Sequence, residues 1–587
     1  MNPKLTNIIH ECDFCVVGGG LAGMCAAIAA ARHGLKVVIM HDRPVFGGNA
    51  SSEVRMWVSG AHGENMRETG ILEEMCLENL YRNPYRTFPI WDSVLFEAIK
   101  NEENITSLLN CSCNDCTMDG NTITEIVGWQ TTTQKFHTVK AAFFADCSGD
   151  SILAPLSGAE FTWGREARSK FNESIAPVEA DRMMMGHSCL VEGRETDEKR
   201  IFVAPDWARK FTKEQLAHRF HGQIREFDNF WYLELGGTQD TIGDTEEIRD
   251  DLVKVAFGFW DHVKNGGYPN LDNWDLDWIG YLPGKRESRR YVGDYTMTQN
   301  DITDGGNFDD MVAYGGWTMD DHNPLGINTT EKPTIHHPAP SPFGIPYRVL
   351  YSKNIDNLFF AGRNISVTHS AMSATRVMAT CALVGQAVGT AAALTVKQGT
   401  SPRGIYENHI HELKQTLMED GCYLPGNSME PSEIMKRAQI VTDGQNGHLL
   451  VNGHERQIGQ EKNCWTGKVG TPIEIQFAES TQIRQVRVVL DSDLDRKTIG
   501  TDFMARKATL TNRPLGLAPV HLPETLVKEL KIEALDEQGC WQTVFALDGN
   551  RQRIVTAAVD CCCSALRITP VASYGCEEVN IFSINVK

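Results

Sequence analysis

The 587-residue chain carries a formal net charge of −20 at pH 7, and 22% of its residues are charged. This acidic balance argues against a nucleic-acid partner and against binding to an anionic membrane surface. The polar N-terminus leads directly into a strand-like run, so the sequence predicts neither a secretory signal nor membrane insertion. The 17 cysteines then favour reduced thiols in a cytoplasmic protein.

The first predicted elements form a strand, a glycine turn and a small-residue helix. An apolar run at 13–17 precedes a G-x-G-x-x-G turn, and a helical run of small residues follows at 24–31. Gly18 permits the tight turn, Gly20 lets the backbone approach a pyrophosphate, and Gly23 lets the helix lie close to the strand. The helix N-terminus supplies free N–H groups to the phosphates. The residues predicted to bind a dinucleotide here are Gly18, Gly20, Leu21, Ala22 and Gly23.

A second predicted strand at 36–40 ends at His41 and Asp42, where such folds hold the adenosine ribose. The segment that follows, 43–52, contains a second glycine pair and small polar residues. Such a segment can wrap over the pyrophosphate and ribityl chain of an extended FAD molecule, which NAD does not require. The residues predicted to take part are Arg43, Gly47, Gly48, Asn49 and Ser51.

Two later segments repeat the pattern of an apolar strand that ends in a small polar turn. The first strand, at 143–146, ends near Ser148, Gly149 and Asp150. The second strand, near 357–361, leads into a long small-residue helix predicted over roughly 373–394. The cofactor-binding residues predicted in this second segment are Gly362, Arg363, Ser373, Thr375 and Arg376.

Taken together, the segments 43–52, 145–150 and 361–378 resemble the bacterial FAD-dependent oxidoreductase family, which is related in fold to glutathione-reductase and fumarate-reductase flavoproteins. The resemblance covers about residues 10–400 and implies a Rossmann-type α/β fold with non-covalently bound FAD. The sequence departs from the family pattern at the end of the second strand, where relatives usually have Glu. Either Asp42 takes that role, or His41 and backbone groups hold the ribose. Arg363 likewise stands where many relatives have Asp.

These anchors divide the α/β chain into predicted domains. Residues 1–155 and 346–400 form the two parts of the FAD-binding domain, and 156–345 form an inserted α+β cap rich in Trp and Tyr. A helical linker is predicted at 401–440. From 441 to 587, short alternating strands predict an all-β sandwich that resembles galactose-binding-like domains. That sandwich either binds carbohydrate or serves packing and homo-oligomerisation, and its place in a cytoplasmic enzyme favours the second role.

Catalytic residues are expected beside the flavin ring, where a base and positive charge are needed. His369, just before the long helix, is the first candidate for the general base, and the alternative is that it caps the helix or bonds the flavin. Arg376 could hold an anionic substrate, the flavin or a buried carboxylate. Arg286 and Arg289 lie in a cation-rich run that either faces carboxylate or multi-hydroxyl substrates or pins the cap by salt bridges. His62, on a glycine-hinged loop, is the remaining catalytic candidate, although its position favours a role in structuring the loop.

No metal site is predicted. Cys111, Cys113 and Cys116 fall on a predicted hairpin whose alternation separates Cys116 from the other two. His322 and the pair at 336–337 lie in polar loops without a carboxylate at ligand spacing.

The predicted function is FAD-dependent hydride transfer between the flavin and a small polar substrate such as a sugar, polyol or hydroxy acid. The chain has no second G-x-G-x-x-G unit for NAD, so the electron partner is open among a quinone, a carrier protein and oxygen. The alternatives are a fumarate-reductase-like C–C dehydrogenase or reductase, and a non-redox carbohydrate-binding protein with structural FAD.

Overall fold

The computed structural model describes residues 5–225, 228–494 and 519–587. Within these, the chain forms two compact units. The first unit contains residues 5–61 and 85–413, and the second contains 62–84, 414–494 and 519–587.

The first unit is built on a mixed seven-stranded sheet, with several small sheets beside it. Its strands are β1 (Asn7–Val17), β2 (Val37–Met40), β3 (Ile105–Leu108), β4 (Cys111–Asp119), β5 (Thr122–Gln130), β6 (Lys135–Asp146), β7 (Phe161–Thr162), β8 (His187–Ser188), β9 (Val191–Glu195), β10 (Glu234–Leu235), β11 (Trp274–Ile279), β12 (Gly284–Lys285), β13 (Arg290–Tyr291), β14 (Met311–Gly315), β15 (Met319–His322), β16 (Thr334–His337), β17 (Phe343–Pro346) and β18 (Leu358–Phe360).

The large sheet has the order β3-β2-β1-β6-β5-β4. β1, β2, β3 and β6 run parallel, and β18 pairs in parallel with the last residues of β6. β4 and β5 form the predicted hairpin, with its turn at Gly120 and Asn121. The carboxyl ends of β1, β6 and β18 therefore meet at one edge, which is where ligands bind in open parallel sheets.

The helices of the described chain are α1 (Leu21–Arg32), α2 (Ile71–Arg82), α3 (Phe88–Lys100), α4 (Leu153–Ser157), α5 (Arg168–Phe171), α6 (Thr245–Asn265), α7 (Gln299–Thr303), α8 (His369–Thr375), α9 (Met378–Gln398), α10 (Pro402–Asn408), α11 (Ile410–Glu419) and α12 (Glu433–Arg437). α9 is long and apolar enough to cross a membrane, yet 94% of its most apolar window is buried inside the protein. It packs on α1 so closely that a Cβ on Gly385 would lie 2.0 Å from the carbonyl oxygen of Ala22.

The sequence predicts one helix over 373–394, whereas the structure has two. α8 ends at Thr375 and α9 begins at Met378, because Val377 between them is extended, with φ −65° and ψ 143°. The prediction of a single helix is therefore wrong at this position. The break leaves the Arg376 side chain free to reach Asp320 on β15.

Residues of the predicted cap form pairs of short antiparallel strands around α6. β8 lies between β10 and β12, β9 pairs with β11, and β15 pairs with β16. The apolar face of α6, which includes Leu252 and Phe259, packs against Trp274 and Val191 in one buried cluster. The same cluster includes Leu235 of β10, and the neighbouring Glu234 on this strand belongs to the charged network described below.

The second unit is an antiparallel β-sandwich. Its strands are β19 (Gln439–Thr442), β20 (Trp465–Lys468), β21 (Ile473–Leu490), β22 (Val527–Leu535), β23 (Trp541–Leu547), β24 (Ile554–Ser573) and β25 (Glu578–Val586). β21 is one long strand where two were predicted. Its pairing with β24 breaks between Gln476 and Thr481, and the two long strands serve both halves of the sandwich. Leu77 and Leu80 of α2 belong to its buried core.

The two units are grouped differently from the predicted domains. Residues 62–84 were placed in the first part of the FAD-binding domain, but they pack with the sandwich. Residues 414–440 were placed in a linker and also belong to the second unit. In both segments, packing between distant parts of the chain decides the grouping, and local sequence pattern gives no sign of it.

Candidate active site

The glycine turn between β1 and α1 is shaped for a ligand phosphate. Gly18 has φ +108°, and a Cβ there would lie 2.3 Å from the carbonyl oxygen of Cys147. A Cβ on Gly23 would lie 1.9 Å from the carbonyl oxygen of Gly18, so only glycine allows this approach. Gly20 is different, since the nearest atom to its Cβ would be Gly48 Cα at 3.9 Å. The protein therefore leaves open the side of Gly20 at the start of α1, where backbone N–H groups bind phosphates.

His41 occupies the end of β2, where the adenosine ribose is expected. Its ring is 5% exposed, stacks on Phe46, and accepts a hydrogen bond at Nδ1 from the Gly19 N–H at 3.0 Å. Nε2 therefore carries the proton in this arrangement, and it has no hydrogen-bond partner among the described residues. The side chain of Asp42 is 63% exposed. Of the two alternatives, the geometry favours His41 as the ribose donor.

The segment after β2 folds back onto the glycine turn. The Gly47 N–H donates to the Gly19 carbonyl at 2.8 Å, and the Ser51 hydroxyl donates to the Gly48 carbonyl at 2.8 Å. The Asn49 amide donates to the Lys285 carbonyl at 3.0 Å. These bonds place Gly47 and Gly48 opposite Gly20. Arg43 also contributes Nη1, a buried donor with no partner in the described parts of the chain.

Asp150 forms the centre of a charged cluster beyond β6. Its carboxylate accepts from Lys285, Ser288 and Arg363, each at 2.8 Å. Burial opposes ionisation of Asp150, but Arg363 and Lys285 outweigh it and hold its pKa well below the ordinary value. The departure from the family pattern at Arg363 is thus matched by an acidic partner at Asp150. Ser148 donates its hydroxyl to Asp146, which leaves its predicted role in cofactor binding to its backbone.

These residues together fit a bound dinucleotide. The open side of Gly20 can admit a pyrophosphate, and three buried donors remain unpaired within the described residues, namely His41 Nε2, Arg43 Nη1 and Arg363 Nε. Buried donors without partners are rare in folded proteins, and several of them around one cleft indicate a missing ligand.

His369, the first residue of α8, lies between two carboxylates. Its Nδ1 is 2.9 Å from Glu287 Oε2, and its Nε2 is 3.2 Å from Asp321 Oδ1. Burial alone would lower its pKa, but the charge of Glu287 and the hydrogen bond to Asp321 raise the pKa from 6.5 to about 10. His369 is therefore an imidazolium at neutral pH, and it must lose a proton before it can act as the predicted base.

The Glu287 carboxylate is shared by His369 and Arg290. Arg290 is fully buried, and it also pairs with Glu166 at 2.8 Å and donates to the Val367 carbonyl. Glu166 in turn accepts from the backbone N–H of His369 at 2.9 Å. The start of α8 is thus held by a closed network of alternating charges.

A second histidine has a similar arrangement. His322 Nδ1 lies 2.7 Å from Glu234, and its Nε2 lies 3.3 Å from Asp320. Arg286 pairs with Glu234 at 3.1 Å, and Arg376 pairs with Asp320 at 3.3 Å. Asp320 and the His369 partner Asp321 are neighbours on β15. This short strand therefore holds α8 at both ends, through His369 and Arg376.

The structure thus distinguishes among the predicted catalytic residues. Arg286 and Arg376 hold protein carboxylates, which was one of the alternatives for each. Arg289 lies over Phe161 and Trp163, with no carboxylate at ion-pair distance among the described residues. His62 belongs to the second unit, and its role stays a prediction.

Ser373 and Thr375 are buried in α8. The Ser373 hydroxyl bonds to its own helix, and the role of both residues in cofactor binding also stays a prediction.

Several residues of this site were missed by sequence reasoning. They are Glu166, His187, Glu234, Glu287, Asp320 and Asp321. His187 is fully buried on β8, and neither ring nitrogen has a partner among the described residues. Burial, with the nearby charge of Lys285, lowers its pKa to about 3, so it is neutral. A weak signal existed for one pair only, since Asp320 and His322 stand two apart on a strand and so share a face.

In the parts of the chain that the structure describes, no three His, Cys, Asp or Glu side chains are arranged to hold a metal ion. Cys111 and Cys113 are buried and Cys116 is half-buried. A β-bulge between Cys113 and Asp115 shifts the alternation and turns Cys116 toward the same face as the other two, so the predicted separation is wrong.

Comparison with protein families matches residues 13–417 to the family described as FAD dependent oxidoreductase. The chain belongs to this FAD-dependent oxidoreductase family. Its cofactor is FAD. For this FAD-dependent oxidoreductase, we expect the cradle around Gly20 to hold the pyrophosphate. A search of curated proteins gives no match.

Three solved structures resemble parts of this FAD-dependent oxidoreductase at low similarity. A geranylgeranyl bacteriochlorophyll reductase-like protein from Thermoplasma acidophilum is 11% identical, with a TM-score of 0.32, over 71% of this chain and 85% of the other. A family 32 carbohydrate-binding module of Streptococcus pneumoniae EndoD is 11% identical, with a TM-score of 0.20, over 27% of this chain and 99% of the other. The corresponding module of Clostridium perfringens NanJ, solved with galactose, is 10% identical, with a TM-score of 0.18, over 27% and 98%.

The open side of Gly20 leads to a test of the FAD cradle. Gly20 has φ −69°, which alanine adopts without strain, and an added Cβ meets no protein atom closer than 3.9 Å. Gly20→Ala should therefore fold as well as the parent but place a methyl group where the pyrophosphate approaches. We expect its FAD dissociation constant to rise at least ~10-fold, the equivalent of about 1.4 kcal/mol, as measured by fluorescence titration of the apoprotein. Equal affinity at equal stability would contradict this location of the cradle.

Proposed function

We propose that this protein transfers hydride between FAD and a small, uncharged, hydroxyl-bearing substrate such as a sugar or polyol. The observation that carries the proposal is the His369 imidazolium held between Glu287 and Asp321 at the start of α8. In flavoproteins related by fold, the segment that corresponds to the one after Gly362 brings a helix N-terminus toward the flavin. A charged hydrogen-bond donor and acceptor at that point suit an alcohol–carbonyl interconversion.

The charges around α8 favour a neutral substrate over an anionic one. Six carboxylates belong to the network around it, Glu166, Glu173, Glu234, Glu287, Asp320 and Asp321, together with four guanidinium groups, Arg165, Arg286, Arg290 and Arg376. Each of these guanidinium groups already pairs with a carboxylate, Arg165 with Asp181 and the others within the network. A dicarboxylate such as fumarate needs free guanidinium forks, which these four arginines do not offer. Hydroxyl groups instead donate to carboxylate oxygens.

Asp321 is the acceptor best placed for a substrate hydroxyl. Its side chain is 26% exposed, and its hydrogen bond to His369 uses only Oδ1. Although burial opposes ionisation, the bond to His369 outweighs it and lowers the pKa of Asp321, which therefore stays ionised. Oδ2 accepts no hydrogen bond from a described residue. We propose that it orients the substrate hydroxyl beside His369.

His369 then handles the proton of the reacting hydroxyl. Bound FAD supplies the hydride acceptor or donor. In the reducing direction, the His369 imidazolium gives its proton to the carbonyl oxygen. In the oxidising direction, the His369 ring must lose this proton first, and it then takes the proton of the substrate hydroxyl. Glu287 orients the ring and compensates its charge in both directions.

The test is an anaerobic titration of the purified flavoprotein, followed at the flavin absorption near about 450 nm. The panel contains neutral sugars and polyols, hydroxy acids, and succinate. We expect loss of the absorption band with a neutral polyhydroxyl compound and no loss with succinate. Bleaching by succinate alone would favour the C–C dehydrogenase. Reduction by dithionite but by no compound, together with no reoxidation by carbonyl compounds or fumarate, would favour structural FAD.

A further inference from the structure

A pocket in the second unit holds an under-compensated arginine. It lies between the turn after α11 and the loop before β20, and it is partly open to solvent. Its polar lining comes from Asn427, His454, Glu455, Arg456 and Arg553. The pocket is formed entirely by residues of the second unit and is separate from the FAD cradle.

Arg553 is the unusual member of this lining. It is 5% exposed, and its side chain makes one hydrogen bond to a described residue, from Nη2 to the Glu455 carbonyl. Its closest described carboxylate oxygen is Glu73 Oε2, 3.9 Å from Nη1. Nε is buried and has no partner among the described residues. A guanidinium keeps its charge in proteins, so a buried one requires a compensating anion.

The neighbouring acids are already used by other groups. Glu455 accepts two hydrogen bonds from Arg487, and Glu73 accepts from the Ser492 hydroxyl at 2.6 Å. Burial and the nearby guanidinium groups of Arg456 and Arg487 lower the pKa of Arg553, despite the two glutamates. Arg456 donates to two backbone carbonyls and lies 4.0 Å from the Tyr423 ring. Neither glutamate carboxylate therefore forms a hydrogen bond with the guanidinium of Arg553.

We infer that this pocket binds a small oxyanion, a phosphate or carboxylate group, through Arg553. The ligand supplies the hydrogen-bonded anion that Glu73 and Glu455 do not. One of its oxygens would accept a hydrogen bond from the unused Nε of Arg553, and such charge-assisted hydrogen bonds are the strong ones. The site gives the second unit a ligand of its own, distinct from the substrate of the flavin.

The experiment measures thermal unfolding of the full-length holoprotein in increasing phosphate, or in acetate as the carboxylate probe. Sodium chloride at equal ionic strength serves as the reference. We expect one probe to raise the Tm of the transition in which the second unit unfolds, saturably and by at least about 2 °C. Arg553→Met should abolish that response and should retain or raise the Tm without the probe, because it removes an uncompensated buried charge. Arg553→Lys should keep part of the response.

The matched control is Arg551→Met, two residues away. Arg551 pairs with Glu78 at 3.1 Å and is 37% exposed, so its loss should leave the anion response unchanged. If neither probe stabilises the parent protein beyond chloride, or if Arg553→Met responds as the parent does, the inference is overturned. An Arg553→Met chain that unfolds with or without the probe would show that the protein itself compensates Arg553, and would also overturn it.

Discussion

Replacing His369 by glutamine should lower kcat/KM for the reducing substrate of the flavin by about 10²–10⁴-fold. Glutamine keeps a hydrogen-bond donor but cannot take up the hydroxyl proton. In the parent enzyme, oxidation should become faster as the pH rises toward about 10, because the raised pKa keeps His369 protonated at lower pH. This rise should be absent in the variant. Steady-state kinetics from pH 6 to 10 measure both effects, with flavin content checked at each pH.

The matched control for this prediction is His336→Gln. His336 lies on β16, which pairs with the strand β15 that carries Asp320 and Asp321. Its ring is 3.6 Å from Asp320, but its side chain is 51% exposed. Its replacement should leave the rate and the pH profile close to those of the parent. A His369→Gln enzyme with full FAD content and an unchanged pH profile would remove His369 from the proton transfer.

The second large effect is expected on stability, from Glu287→Gln. Glu287 is fully buried and compensates both Arg290 and His369. Its loss leaves these two buried cations with only Glu166 and Asp321 as acidic partners, so their charge is under-compensated. The cost should be about 3–5 kcal/mol in the free energy of unfolding. Denaturant unfolding at pH 7 measures this cost, at the transition in which the first unit unfolds. The exposed carboxylate Glu160, which pairs with Lys353 at 3.7 Å, gives the control Glu160→Gln with little change expected.

The same variant has a pH signature with a definite sign. The pKa of His369 rises on folding, so its contribution to stability is complete below pH 6.5 and is lost as the pH rises toward about 10. Without the charge of Glu287, the pKa of His369 should fall, and the parent's loss of stability across this range should shrink. An equal pH slope in parent and variant would show that Glu287 does not set the His369 charge.

The FAD cradle could be predicted because its determinants are local in the chain. Gly18, Gly20 and Gly23 act within one strand–turn–helix unit, and the structure gives each the steric role that its position indicates. The antiparallel pattern of the second unit was predictable for a similar reason, since period-two alternation depends on neighbours only.

The charged network at α8 was beyond sequence reasoning because its members come from distant segments. Glu287 and Asp321 stand 82 and 48 residues from His369, and no spacing rule connects them. The cation-rich run around Arg286 is visible in the sequence, but the acids that pair with it lie in other segments: Glu234 pairs with Arg286, and Asp150 pairs with Lys285. The break at Val377 was missed because no glycine or proline at 373–380 marks it, and the tertiary bond of Arg376 to Asp320 accompanies the break.

The path of the chain through the second unit affects how the protein can be divided. Leu77 and Leu80 fill part of the sandwich core, although residues 85–413 of the other unit separate them in sequence from the strands they support. A gene fragment that begins at residue 414 would encode every described strand of the sandwich but not the helix against which they close. Recombination can therefore exchange neither unit as one continuous stretch, and a chain that contains one unit alone requires an internal junction, from 61 to 85 or from 84 to 414.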